Sequence, residues 1–347
     1  MDTKLSLLTL AVAFFLANSI LPTSSKATTT TTRRRYNFDK VLVGAENGSR
    51  IIRVRKDGTG DFTTIGDAVD DVPPGNMRRT YLVIGPGVYR EKVTVDRTKP
   101  FVTLVGDENA MPTISYGETA ASCGSTFLSA TVAVESDYFV ACNIIFENTA
   151  PKPGHGVEGA QAIAMRISGD KAAFYNCKFY GYQDTLCDDQ GRHFFKNCFI
   201  QGSIDFIFGN GKSMYKSCEL RSVADGIAAI TAQGRTRSSE DSGFSFVQCR
   251  ITGTGAMYLG RAWRPSARVI YAYTYMSSIV DPKGWNDWGF SNRDRTIYYG
   301  EYKCMGPGSS TANRVNYTRI LDDEEAKQFL HTGFIQAQTW LLPPPSL

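Results

Sequence analysis

The chain has 347 residues, 42% of them hydrophobic, and a formal net charge of +4. A chain of this size buries one large core or two ordinary ones, so its eight cysteines are not needed as a framework. Lysine and arginine form no dense stripe, which argues against a nucleic-acid partner; the mild positive excess suits a polyanionic partner or an ordinary basic surface equally well.

At the N-terminus, Lys4 precedes an uncharged, mainly apolar run from Leu5 to Leu16, followed by small residues such as Ala17, Ser19 and Ala27. The run is shorter than the roughly 20 apolar residues of a membrane span and has the three-part layout of a secretory signal, assigned to residues 1–27. Residues 28–48 are polar and low in complexity and are expected to be a flexible or processed tail. No later segment is apolar enough to span a bilayer, so the mature protein is expected to be exported, with no membrane partner. Asn47 (NGS) and Asn316 (NYT) are glycosylation sequons compatible with that route. The clearest helix signal is TIGDAVDDV (64–72), where Thr64 and Asp67 are placed for a capping box.

Farther along, five segments overlay on their cysteines: DYFVACNIIFEN, AAFYNCKFYGYQD, HFFKNCFIQGSID, SMYKSCELRSVAD and FSFVQCRITGTGA. The stacked cysteines are Cys142, Cys177, Cys198, Cys218 and Cys249, and a sixth segment, VIYAYTYMSSIVD, has Tyr273 at that position. Spacings of 21 (177 to 198) and 20 (198 to 218) residues signal a repeat architecture. The units are short runs of β-branched and aromatic residues broken by Gly, Asn and Ser, and long helical periodicity is nearly absent. Together these predict an all-β, single-domain parallel β-solenoid over residues 49–342, with a short N-terminal helix cap and a C-terminal tail at 343–347. An antiparallel sandwich is the competing fold, but its turns recur every 8–12 residues or so, and hairpin dipeptides are sparse here. The cysteines are then small apolar fillers of an interior ladder.

Asp184 follows Cys177 by seven residues, and Asp205 follows Cys198 by seven. Equal phase in successive coils puts the two on neighbouring strands, about 4.8 Å apart between backbones. Two carboxylates about 5 Å apart repel by roughly 3 kcal/mol at an effective dielectric of about 20, or about two pKa units. One then holds its proton while the other ionises, which supplies an acid and a nucleophile in one site. Turn-capping is the ordinary employment of such aspartates. Asp225 has the same phase after Cys218 but lacks the flanking residues, and it reads as a turn residue. Gln183 adjoins Asp184, and Gln161 sits one coil earlier in GAQAIAM. Neutral amide donors suit an oxyanion that develops during reaction, each worth about 3–4 kcal/mol. LGRAWRP (259–265) adds Arg261, a cation able to hold one aspartate ionised, and Trp263, a flat face for a sugar.

These residues resemble the pectin methylesterase family. The likeness runs from KDGTGDFTTIGDAV (56–69) through GVYRE, TFLSAT, GAQAIAM, GYQDTL (181–186), DFIFG (205–209) and LGRAW (259–263) to GWNDWGF and YYGEYKCMGPG (298–308). It covers nearly all the mature chain and is similar to the plant form without an inhibitor-like pro-domain. The resemblance implies a right-handed parallel β-helix that removes methyl groups from galacturonan esters in the cell wall, without metal or cofactor. It implies Asp205 as nucleophile on the C6 ester carbonyl and Asp184 as proton donor to methanol and then general base. Gln183 and Gln161 would stabilise the oxyanion, and Arg261 would hold Asp205 ionised. Trp263 and Phe208 would flank the sugar, and Thr126 would contact substrate. A proteinaceous inhibitor of such enzymes is a candidate partner, and a monomer is expected. One departure concerns the residue after GYQDTL, commonly aromatic in the family and Cys187 here; Cys187 and Cys198 either bridge or stay free.

Two other readings stay open. A galacturonan-depolymerising glycosidase also uses paired carboxylates, about 5 Å or 6.5–9.5 Å apart. A non-catalytic pectin-binding wall protein would have lost its nucleophile, yet every expected position is filled. Other chemistries lack their residues. Asp188–Asp189 is too small a cluster for a metal-dependent lyase, and no GxSxG elbow accompanies His155, His193 and His331. GNGKS (209–213) lacks the upstream glycine of a phosphate loop, and no His/Cys spacing suits zinc.

Overall fold

The computed structural model describes residues 38–154 and 156–345. The expected signal segment, the start of the tail, His155 and the last two residues lie outside the described residues. Every strand pair between named elements is parallel, and successive coils stack on three faces of one solenoid. One face is an eleven-stranded sheet running from Arg50–Val54 to Thr318–Ile320. The other two are joined into a single sheet by the long strands Glu219–Gln233 and Arg250–Arg261, which run across the corner between them.

The repeat has its physical basis in a left-handed corner residue. Asn143, Asn176, Asn197, Ser217, Gln248, Tyr273 and Lys303 all have φ between 47° and 58°. At this corner the chain turns between two strands, so residues on both sides of it point inward. In front of the corner stands an aromatic column, Phe174, Phe195, Tyr215, Phe246 and Tyr271, with consecutive ring centroids 4.5–4.7 Å apart. That distance matches the spacing of neighbouring strands, so each ring stacks on the next at no cost in geometry. Behind the corner stand Cys177, Cys198, Cys218 and Cys249, all buried.

Alignment on cysteine misplaces the two outer members of this column. Cys142 lies before its corner asparagine rather than after it and pairs with Tyr175, leaving Ile144 as the inward residue. At the other end, Val247 pairs with Ala272, so Thr274 and not Tyr273 stands beside Cys249. All eight cysteines are free thiols. Cys187 and Cys198 do not bridge, because Cys187 faces out among Ala130, Ile163 and Phe208 whereas Cys198 belongs to the interior column.

Two short helices sit near the N-terminal end. The second, Ile65–Asp70, buries Ile65, Ala68 and Val69 in the main core, which covers the first coil. Only half of the expected capping box forms. Asp67 N donates to Thr64 Oγ1 at 3.2 Å, while the Thr64 hydroxyl donates to the Asp67 carboxylate at 2.5 Å. The first helix, Lys40–Glu46, replaces the flexible tail expected through residue 48. It buries Leu42 and Ala45 against the second apolar cluster, and Asp39 N bonds to Thr339 O. Leu42 and Ala45, three residues apart on one helix face, carry that docking.

Candidate active site

On the third face, the strands Val132–Val134, Met165–Ile167, Leu186–Asp188 and Ile207–Gly209 stack in register. Their outward row is Ala133, Arg166, Cys187 and Phe208, continued by Ala232 and Arg261 on the two long strands. Asp184 and Asp205 each precede this row by three residues, in the turns leading into Leu186–Asp188 and Ile207–Gly209. Gln183 pairs with Ile204 in a parallel bridge, and Asp184 N donates to Ile204 O at 3.0 Å, so the two aspartates occupy adjoining coils. Both have left-handed backbones, with φ of 64° at Asp184 and 48° at Asp205. Aspartate tolerates that region better than most residues, and strain of this kind gathers at functional sites.

Asp225 does not continue the series. The register of Glu219–Gln233 slips between Val223 and Ile227, and Ala229 O accepts the bond from Asp205 N. Asp225 instead projects outward and pairs with Lys152 at 2.6 Å. Small residues now stand where a third acid would be, and they open a route for Arg261. Although Arg261 is paired with Ala232, its side chain reaches over that alanine to Asp205. Its Nε donates to both carboxylate oxygens at 2.7 Å, and Nη2 stands 2.6 Å from Oδ2. Charge-assisted bonds at a buried site fix both the charge and the orientation of the carboxylate.

The two carboxyl groups differ in their surroundings. Asp205, 4% exposed, is pushed up by burial, and Arg261 pulls it back down. Asp184, 9% exposed, is pushed well up by burial and further by the Asp205 charge, with Arg261 only partly opposing. Among the described residues, no hydrogen bond engages the Asp184 carboxyl or the side-chain amides of half-buried Gln183 and Gln161. The Asp184 carboxyl and two side-chain amides therefore stand unengaged in the same turns and neighbouring coil as a carboxylate held in place.

The rim is aromatic. Phe208 and Trp263 meet edge to face with centroids 6.1 Å apart, over a floor of Ala130, Ala133, Ile163, Cys187 and Ala232. A Cβ on Gly234 would meet the Trp263 ring at 3.1 Å, so a larger residue there would displace it. Thr126 is half-buried at the start of the turn Phe127–Ser129, whose Ser129 Oγ accepts a bond from Ile163 N of the floor. Sequence reasoning missed Trp288, whose ring lies 3.7 Å from the Arg261 guanidinium carbon. Its backbone is left-handed, φ 63°, and its N–H is capped by Asn286 Oδ1 at 2.7 Å. The GWNDWGF segment was in view, but no spacing rule ties it to Arg261. Among the described residues, no group of three or more His, Cys, Asp or Glu side chains is arranged to hold a metal ion.

A pectinesterase family model matches residues 51–338. The chain belongs to the pectinesterase family. It is 55% identical over 307 residues to putative pectinesterase 63 of Arabidopsis thaliana, covering 87% of this chain and 90% of that one. To pectinesterase 1 of Olea europaea it is 47% identical over 313 residues, covering 90% and 85%. Among solved structures it is similar to a pectin methylesterase from carrot, with a TM-score of 0.79 at 33% identity over 85% of this chain and 97% of that one. As a pectinesterase the chain is a carboxylic ester hydrolase, and its coils form the right-handed parallel β-helix of the family. Among the described residues, no helix is long and apolar enough to cross a membrane.

Proposed function

We propose that this pectinesterase hydrolyses the C6 methyl esters of homogalacturonan, with Asp205 as nucleophile and Asp184 as general acid and base. The observation that carries the assignment is the asymmetry of the pair: Arg261 grips both oxygens of Asp205, while the Asp184 carboxyl has no hydrogen-bond partner among the described residues and is pushed well up. An Asp205 oxygen attacks the ester carbonyl carbon, and the carbonyl electrons move onto oxygen. Gln183 and Gln161 receive that oxyanion. On collapse the bond to the methoxy oxygen breaks, Asp184 passes its proton to the leaving methanol, and a mixed anhydride joins substrate to Asp205. Asp184, now ionised, takes a proton from water, whose oxygen attacks the same carbon. The bond to Asp205 breaks, the free acid leaves and gives its proton to solvent, and Asp205 is again ionised with Asp184 again protonated. Trp263 and Phe208 flank the sugar ring, Thr126 contacts it at the turn, and Trp288 holds Arg261 in place.

The protein acts as a secreted monomer in the cell wall, with a proteinaceous inhibitor as a candidate partner at the same cleft. The sequon residues Asn47 and Asn316 are exposed, as glycan attachment requires. Incubation with highly methylated pectin tests the activity. Methanol and carboxylate are expected to appear in equal amounts at constant chain length; new reducing ends would indicate a glycosidase instead.

A further inference from the structure

The outward row that carries Phe208 continues through Cys187 to Arg166, two strand spacings or about 10 Å toward the N-terminal coils. There a cavity of about 470 Å³ opens, lined by Arg97, Phe127, Glu135, Asp137, Arg166 and Asp189 among others. The Arg166 guanidinium is already engaged: it donates to Glu135 Oε1 at 2.8 Å and to Ser168 Oγ at 2.9 Å. Ser168 in turn donates to Asp189 Oδ2 at 2.8 Å. Arg97, largely in water, stands 3.8 Å from Glu135 Oε2, and Asp137 Oδ1 accepts the Asp170 N–H at 2.8 Å. Two guanidinium groups thus face three carboxylates, and the excess charge is negative. One wall is the half-exposed Phe127 ring, 5.7 Å from the Arg166 guanidinium carbon.

Given the pectinesterase reading above, we infer that this cavity is a subsite for a galacturonate unit that is still methyl-esterified. An ester methyl gains apolar contact with Phe127 and carries no charge. A free galacturonate would bring a fourth carboxylate to cations that are already paired, and the added like charge disfavours it. The enzyme therefore works where the neighbouring unit on this side is esterified and is slowed where that unit has lost its methyl group. The pattern of removal along a chain is then set beside the aspartates rather than by them.

The test compares initial methanol release from high-ester and low-ester pectin by wild type and by Asp137→Asn/Asp189→Asn. Asparagine keeps the acceptor oxygens for Asp170 N and Ser168, so the fold is retained, checked by the unfolding midpoint. The double variant reverses the sign of the cavity, and its low-ester to high-ester rate ratio is expected to rise about tenfold. Pectate should also become a tighter competitive inhibitor of the variant. A ratio within twofold of wild type overturns the inference, as does an equal loss on both substrates. A wild type that releases no methanol from either pectin would refute the esterase reading, a result separate from any change in ratio.

Discussion

Arg261 is held from two sides, by the Asp205 carboxylate and by the Trp288 ring. A stacked guanidinium over an aromatic face is worth about 1–2 kcal/mol when partly desolvated, which corresponds to about tenfold in rate if the stack is needed in the transition state. Trp288→Ala should therefore lower kcat about tenfold with little change in KM. The pH profile gives the sharper readout. In the proposed mechanism Asp205 must be ionised, and its pKa, raised by burial, is held down by Arg261, so activity is expected to be lost as pH falls through that value. The same mechanism needs Asp184 protonated, and its pKa is raised well above the usual range, so activity is expected to be lost again as pH rises through it. The two limbs belong to the coupled pair. A loosened Arg261 raises Asp205 further and moves the acid limb of Trp288→Ala to higher pH, with Trp288→Phe restoring it. A uniform loss at all pH values would show that Trp288 only supports the fold. The aspartates were legible because a 21-residue offset equals one coil. Trp288 was not, because its contact crosses from one coil to a later turn and depends on a left-handed backbone that no local pattern announces.

Within each coil, the corner residue and the glycines decide which side chains face the cleft. Gly209 ends DFIFG with φ 126°, and a Cβ there would lie 1.9 Å from Asp188 O. Gly209→Ala is expected to cost about 1–3 kcal/mol from backbone conformation, plus the overlap, as measured by chemical denaturation. Destabilisation below about 0.5 kcal/mol would contradict the reading of that turn. The repeating strands were legible in the sequence from their β-branched and aromatic texture. Their register was legible only in part, since cysteine is an interior filler that also fits other positions. Asn143 and Asn176 mark the true corner, and counting from Cys142 shifts that coil by two residues. Likewise, an irregularity inside a single long strand displaced Asp225 from the phase of Asp184 and Asp205, and insertions within a strand leave no turn signal to read.

Across the whole molecule, the interior is mainly apolar, and one of its polar clusters surrounds His193. Buried His193 lies with Nδ1 2.5 Å from Asp188 Oδ1 and Nε2 2.9 Å from Gly169 O, and Tyr215 donates to Asp188 Oδ2 at 2.6 Å. The carbonyl can only accept, so Nε2 carries a proton, and the carboxylate favours one on Nδ1 as well. Burial lowers the His193 pKa, but Asp188 outweighs it and the net shift is upward. Its folded value therefore exceeds the unfolded value of about 6.5. The stability it contributes is complete below about pH 6.5 and is lost as pH rises through the folded value. Denaturation midpoints should decline over that range in wild type, and His193→Gln should remove the decline; a midpoint that rises with pH would contradict the assignment. Asp188 was legible only as half of an acidic pair, because its partners lie on other coils.

The most direct measurement is methanol release from highly methylated pectin by Asp205→Ala, made alongside its pectin affinity. If Asp205 forms the bond to the ester carbon, turnover falls to background while binding persists. Turnover close to wild type in a folded Asp205→Ala protein would contradict the account.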